Sequence, residues 1–407
     1  MTATTIKKIS NNTNIIYYMR DKISQRIDKI YKSNEYIKIF ILGDTSLLEE
    51  QIIESYRQNG ISHLFSISGM HISLFAGIIL YIVKKISYNN YYNYGVVILF
   101  LSMYALLVGP SPSVIRSLIM YIIFSVNKIF NFKIKNIDIM LIVLLIMLII
   151  NPYYIYNTSF QYSYSISFTL ILFSYKIKKT KKSILKSLYI SYISFLISFP
   201  ICIYNFYQVN IISIFLNLFV IPLVNIFVFP LSLISFIIPK ISYILSLFTN
   251  ILQTISLFMY NHNIGTITFS KPNIILIIIY YIFIYLHLYN KKLSILFIIM
   301  FIHYNFKYMN NKIEITSLDV GQGDSILIKM PNDKGNLLID TGGKINSDYK
   351  VTLEKTIPYF KSIGISKIDY LIITHGDYDH MGEAINLVNN FKVEKVIFNC
   401  GEFNELE

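Results

Sequence analysis

Hydrophobic and polar positions divide the chain into three parts. Between His63 and Tyr304, long apolar runs follow one another with short polar connections, and Asp138 is the only acidic residue. On either side, polar and apolar positions mix as they do in water-exposed protein. The central runs predict membrane-spanning helices, because an apolar stretch without charge is stable in lipid when it satisfies its own backbone. The candidate spans are 63–83, 94–109, 113–130, 137–151, 159–175, 184–206, 211–238, 241–260, 273–289 and 293–305. Pro222 and Pro230 interrupt the seventh and predict a kinked or broken helix beside a cavity. In and just ahead of the first span, Ser62, Ser66, Gly69, Ser73 and Gly77 recur at helical spacing. Such a stripe of small residues suits close helix packing.

The flanks carry other periods. Ile23, Ile27 and Ile30 lie at helical spacing between Arg20 and Lys32, and Leu47 to Asn59 predicts a second surface helix. After Lys312 the runs become short. Ile313–Leu318, Ser325–Lys329, Leu337–Ile339, Tyr370–Ile373 and Glu394–Phe398 predict strands, with helices over 351–363 and 382–390. Strands first, then strands and helices in turn, predict an α/β layer. The expected parts are a helical segment over 1–60, a membrane domain of about ten helices over 61–306, and an α/β segment over 312–407.

Composition agrees: 54% of residues are hydrophobic and 14% charged, against roughly 25% charged in an average soluble domain. The net charge of +13 has two readings, lysines in loops beside the spans or attraction of a polyanion such as nucleic acid. Loop charge also orients the chain. Lys84, Lys85, Lys133, Lys135, the run Lys176–Lys182, Lys240, Lys291 and Lys292 fall in alternate connections, whereas the others carry little beyond Lys271. Positive connections stay in the cytoplasm, so both termini are expected outside. Cys202 and Cys400 offer no disulfide framework, and the N-terminus lacks the pattern of a signal peptide.

The most informative chemistry is Leu371-Ile-Ile-Thr-His-Gly-Asp-Tyr-Asp-His-Met-Gly382. His375, Asp377, Asp379 and His380 follow a strand within six positions. Neutral imidazole and ionised carboxylate are the ligands that Zn²⁺ or Mn²⁺ accepts, and such a centre acidifies a bound water for hydrolysis. Asp319-Val-Gly-Gln-Gly-Asp324-Ser and Asp340-Thr-Gly-Gly also follow strands, so three turns converge on one cleft. Asp324 and Asp340 are read as turn formers near the site or as part of it. In the membrane block, His63 and His71 either line a polar path or are buried and hydrogen-bonded. Arg116, the only arginine between His63 and Tyr304, either snorkels or contacts a phosphate. The many Tyr and Phe residues stack on bases or face lipid.

These motifs resemble known families. Strand-DTGG and strand-THGDYDHMG resemble the metallo-β-lactamase superfamily, whose usual pattern has His where Asp377 stands. Leu318-Asp-Val-Gly-Gln-Gly-Asp-Ser325 narrows the likeness to the hydrolase domain of ComEC-type DNA-uptake channels of bacterial competence. In the membrane block, Gly60–Ser73, Leu42–Asp44, Gly109–Arg116, Ser159–Gln161, and Phe199-Pro200 through Asn217 to Pro222 resemble further landmarks of that family. The resemblance covers about residues 40–400. It implies a polytopic α-helical membrane domain followed by a partial α/β domain, αββα and metallo-β-lactamase-like. The implied function is a multi-pass plasma-membrane channel that passes single-stranded DNA inward during natural transformation. DNA, the lipid membrane and other competence uptake proteins are the implied partners; oligomeric state is not legible. The implied cofactor is a divalent metal, Zn or Mn. His375 and Asp377 would hold one ion, Asp379 and His380 the second or its water, with Asp379 as the catalytic carboxylate. His71 and Arg116 are the candidate channel or DNA-binding residues.

Family members carry more helices and an OB-like domain before the channel, and the hydrolase fold is only about half complete at Glu407. The expectation is therefore a truncated hydrolase (nuclease) domain whose activity is left open. Two other readings stand beside it: a membrane-tethered metallohydrolase of another phosphodiester or a thioester, and a non-functional remnant.

Overall fold

A computed structural model describes residues 15–290, 293–343 and 350–399. The helices up to the first strand are α1 (Ile15–Asp28), α2 (Asn34–Leu42), α3 (Glu50–Gln58), α4 (Gly69–Ile86), α5 (Asn90–Val108), α6 (Pro112–Phe130), α7 (Asn136–Ile150), α8 (Thr158–Leu172), α9 (Ser174–Lys179) and α10 (Ser183–Asn205). Strand β1 (Gln208–Asn210) precedes α11 (Ser213–Leu223), α12 (Phe229–Ile237) and α13 (Ser242–Asn261); β2 (Thr266–Thr268) precedes α14 (Ile274–Asn290) and α15 (Leu293–Tyr304). The C-terminal part contains β3 (Glu314–Ser317), β4 (Ile326–Lys329), β5 (Asn336–Ile339), α16 (Ile357–Ser362), β6 (Ile368–Ile372), α17 (Tyr378–Met381), α18 (Ala384–Asn390) and β7 (Val393–Ile397). The chain forms two compact units, residues 1–191 with 212–264, and residues 192–211 with 265–407.

Six helical stretches among the described residues are long and apolar enough to cross a membrane: Ser62–Ile86, Asn90–Val108, Pro112–Phe130, Ser183–Asn205, Ser213–Ile237 and Pro239–Asn261. Asn136–Ile150, Ile274–Tyr289 and Ile295–Tyr308 are shorter apolar helices. The first expected span begins later than its apolar run. Ser62–Leu64 is a 3₁₀ turn, and α4 starts at Gly69 behind an extended Ser68. His71 faces back onto Ser68 and closes a capping box, which fixes the helix start. Ser62 and Ser66 therefore lie outside the regular helix, and the expected five-residue stripe reduces to Gly69, Ser73 and Gly77.

The seventh span keeps helical dihedrals throughout. A π turn at Val224–Val228 joins α11 to α12, between Pro222 and Pro230. Proline lacks the N–H that would bond one turn back, and the wider π turn re-phases the ladder without breaking the helix. The expected interruption is this bulge.

In the first unit, α2 has six apolar residues of nine and lies in the core, with Tyr36, Ile37, Ile39 and Phe40 fully buried. It runs between two residues in the left-handed region, Ser33 (φ 52°) and Gly43 (φ 69°). A polar ladder ties the N-terminal segment to α13. Ser33 Oγ lies 3.0 Å from Thr249 Oγ1, and Gln253 Nε2 donates to Tyr36 Oη at 3.1 Å. Ser55 Oγ lies 2.9 Å from Ser256 Oγ, and Asn59 Nδ2 donates to the Ser256 carbonyl at 2.9 Å. Thr249, Gln253 and Ser256 form one stripe of α13 by their spacing. Each buried polar group finds a partner, which such groups need in an apolar surround.

In the second unit, β1 and β2 form an antiparallel ladder with Val209 opposite Ile267. His303 of α15 bridges Tyr280 Oη at 3.0 Å and the Ser270 carbonyl at 3.0 Å. Lys271 N–H donates to the Ser362 carbonyl at 2.7 Å, and Lys307 pairs with Asp333 at 3.0 Å, so the connection before α14 and the end of α15 both meet the C-terminal sheet region. That sheet has the order β3-β4-β5-β6-β7, antiparallel through β5 and parallel from β5 to β7. One face, with Leu327, Leu338 and Leu371, forms a core with Phe360, Ile365 and Leu387. On the other face Ile315 is 70% exposed and Tyr370 38%, as expected for one sheet of a two-sheet sandwich. Ile315, Ile328, Leu337 and Tyr370 lie opposite one another across it.

Gly43 provides a local test. A methyl there would lie 2.8 Å from Val108 Cγ1 and 2.9 Å from the Val108 carbonyl oxygen, at a φ that favours glycine. Gly43→Ala is expected to cost about 1–3 kcal/mol, read as a lower midpoint in thermal unfolding of the detergent-purified protein.

Candidate metal centre

The parallel pairing of β5 with β6, Ile339 opposite Ile372, brings two strand ends side by side. Residues 340 and 374–380 meet there, although far apart in sequence. Asp340 is the fixed point: it is 3% exposed and adopts φ 57°. Its N–H donates to the Ile372 carbonyl at 2.9 Å. Its Oδ1 accepts from the Thr374 N–H at 2.8 Å, and its Oδ2 accepts from Thr374 Oγ1 at 2.7 Å. His380 Nδ1 lies 2.9 Å from the same Oδ2. That hydrogen bond, foremost, raises the His380 pKa, since Asp340 favours the charged ring.

The other turn closes from the opposite side. Asp324 N–H donates to the Asp379 carbonyl at 3.3 Å, and Thr341 N–H donates to the His380 carbonyl at 2.8 Å. Gly323 has φ 85°, and a Cβ there would lie 1.6 Å from the Asp379 carbonyl oxygen. Only glycine fits this contact. Asp377 precedes α17, whose single turn carries Asp379 and His380.

The donors fall in two pairs. His375 Nε2 lies 3.6 Å from Asp377 Oδ2, and His380 Nε2 lies 3.9 Å from Asp379 Oδ2. The two imidazole centroids are 3.8 Å apart. Both Nδ1 atoms are engaged, His375 with Thr374 Oγ1 at 2.9 Å and His380 with Asp340. With Nδ1 as donor on each ring, both Nε2 lone pairs are left for a cation. Among the described residues, no group of three or more His, Cys, Asp or Glu is already drawn together as a cage. The donor set nevertheless fits a divalent ion in ligand type and in tautomer. When bound, such an ion lowers the pKa of its water and supplies hydroxide.

Of the residues singled out from sequence, the structure unites His375, Asp377, Asp379, His380, Asp340 and Asp324 at one edge of the sheet. Asp340 does more than turn the chain, because it organises both histidines. Thr374 was not singled out; a hydroxyl directly ahead of the first His was its signal. His71 and Arg116 belong to the other unit. His71 is fully buried between Phe40 and Phe229, ring centroids 5.4 and 4.8 Å away, and Ser68 N–H donates to its Nδ1 at 3.2 Å. His63 lies in the 3₁₀ turn before α4. Arg116 is 8% exposed, and its Nη1 donates to Ser167 Oγ of α8 at 3.1 Å.

A membrane helical bundle followed by a metallo-β-lactamase-like sheet defines the class: a membrane protein carrying a metallo-β-lactamase-like domain. The chain belongs to the Competence protein family, whose model matches residues 40–293. A second model, for the metallo-β-lactamase superfamily, matches residues 318–399 and points to divalent-metal use. The chain is 28% identical to ComE operon protein 3 of Bacillus subtilis (strain 168), over 92% of this chain and 52% of the relative. It is 27% identical to an uncharacterized MG316 homolog of Mycoplasma pneumoniae, over 47% of this chain and 48% of the relative. The chain thus spans about half the length of the curated relatives it matches. No solved structure matches it.

Asp340→Asn is expected to weaken metal binding by about 10–100-fold, because the shared anchor of both histidines is lost. Metal titration of the purified protein, with zinc and with manganese, reads this directly. Unchanged affinity would remove Asp340 from the centre.

Proposed function

We propose that this protein is a channel that passes single-stranded DNA into the cell during natural transformation, with a metal-dependent hydrolase domain on the outer face. The observation that carries the proposal is the joint match: a Competence family membrane block and a metallo-β-lactamase segment follow one another in one chain.

Connectivity supports the outer position. The pairing of β1 with β2 supports a reading in which the connections holding them share one side of the membrane, with α11–α12 and α13 as the two crossings between them. The hydrogen bond from Lys271 to Ser362 likewise joins the connection before α14 to the C-terminal domain, so α14 and α15 together also cross an even number of times. Positive connections stay in the cytoplasm, and the alternation of lysine-rich connections along the sequence favours a cytoplasmic position for Lys176–Lys182 and Lys240 and an outer one for the hydrolase domain. The proposal keeps both termini extracytoplasmic, as the loop charge favours.

In this proposal His375 and Asp377 would hold one divalent ion. Asp379 and His380 would hold a second ion or orient its water, with Asp379 the catalytic carboxylate. Thr374 and Asp340 hold the rings in place through Nδ1. Phosphodiester hydrolysis of one strand of arriving duplex releases the other for entry. DNA, membrane lipid and other uptake proteins are the partners this implies.

Uptake of labelled DNA into the cytoplasm is expected to disappear in a strain lacking the gene; retained uptake overturns the proposal. A purified His375→Ala, Asp379→Asn double variant is expected to lose metal-dependent DNA cleavage to background. Orientation is tested in intact cells with Cys202 and Cys400 changed to Ser. An impermeant maleimide should label Lys395→Cys and spare Lys178→Cys, and the reverse labelling refutes the outer placement.

A further inference from the structure

Arg116 is a physical anomaly in the first unit. It lies on α6, inside a helix apolar enough to span a membrane, and is 8% exposed. Its block of sequence holds one acidic residue, Asp138, on the exposed side of α7. Among the described residues no carboxylate interacts with it. Its contacts are a hydrogen bond from Nη1 to Ser167 Oγ at 3.1 Å and the Tyr164 ring, 5.7 Å from Cζ. Its Nε has no partner among the described residues. Burying a guanidinium with one neutral hydrogen bond and no counter-charge is costly, and intramembrane cations persist where they serve a ligand or a path.

The neighbours are small and polar. Gly69, the first residue of α4, packs directly against the guanidinium: a methyl there would lie 3.1 Å from Arg116 Nη2 and 2.7 Å from Ser117 Oγ, too close for any side chain. Hydroxyls of Ser117 and Ser167 flank the charge. A cleft of about 430 Å³ opens in the same end of the bundle, lined by the 65–67 and 108–111 turns among others. Ile67 in its wall precedes Gly69 by two positions, and Ser111 precedes Arg116 by five. None of Gly69, Arg116, Ser117 and Ser167 lines that cleft, and Ser117 Oγ donates to the Ser113 carbonyl at 2.8 Å, so the donor left for an anion is the guanidinium itself, through its unpartnered Nε.

We propose that Arg116, buried without a counter-charge beside Ser167 and with its Nε unpartnered, is a phosphodiester-binding site that engages the backbone of a single DNA strand in the membrane domain. This rests on the channel function proposed above and adds to it a site of contact. Phosphate recognition is independent of base, as a passing strand requires.

The test uses the full chain in neutral-lipid nanodiscs with an oligothymidylate probe. Arg116→Gln is expected to bind it about tenfold more weakly, with the salt slope reduced by about one. Arg116→Lys should restore the slope. Without DNA, Arg116→Met should unfold at or above the wild-type temperature, since an uncompensated charge has been removed. In cells, Arg116→Gln should reach the membrane normally and take up DNA at least about tenfold less well. Unchanged oligothymidylate affinity overturns the site, as does unfolding of Arg116→Met at a lower temperature, which marks a structural arginine. Binding of inorganic phosphate as tight as that of the oligonucleotide also overturns it. So does an Arg116-dependent gain on switching to anionic lipid with none on adding DNA, which marks a headgroup contact. Gene-dependent uptake that survives Arg116→Gln removes this site alone; uptake that survives loss of the gene removes the channel proposal itself.

Discussion

One buried carboxylate organises the C-terminal domain's chemistry. Asp340 accepts from the Thr374 backbone, the Thr374 hydroxyl and, through the shared Oδ2, the His380 ring. Thr374 then reaches His375. Both imidazoles are thereby held at Nδ1, the kind of second layer of bonds that would orient them in the proposed metal centre. The constraint works backward into the fold as well. It requires β5 and β6 to be parallel and in register, because only then do their ends lie together. It also requires glycine at 323, where the neighbouring turn touches the Asp379 carbonyl.

In the membrane unit the polar groups between the N-terminal segment and α13 are paired, whereas His71 Nε2, Asn93 Oδ1, Tyr121 Oη and Ser235 Oγ elsewhere in it are buried without a partner among the described residues. Along α13 the hydroxyls and amide of Thr249, Gln253 and Ser256 face partners in the N-terminal segment. The short helix α2, buried nearly throughout, belongs to this core. His71 is held at Nδ1 by the helix start it caps. Arg116 differs from the other unpartnered groups in that what it buries is a charge, with little to answer it.

Much of this was legible in the sequence. The period-two runs located all five strands of the C-terminal sheet to within a residue or two, because alternation is a local property of the chain. The crowding of His375 to His380 marked the candidate centre for the same reason. Other features were not legible. Helix α2 lies between two expected surface helices and carries no long run; its burial comes from the elements packed on it. The three-residue strands β1 and β2 are separated by a long stretch of helix, and neither has a signal of its own. The start of α4 is set by the Ser68–His71 box, so hydropathy placed it several residues early.

The sequence by itself determined the division into an apolar helical block and a short α/β layer, the ligand types at one strand end, and the family to which the chain belongs. These depend on local period and residue chemistry, which survive without coordinates. Tertiary structure alone decided that Asp340 anchors both histidines, that α2 is core, and that Arg116 is buried without a counter-charge. Each of those facts concerns groups that are distant in sequence and meet only when strands register and helices pack.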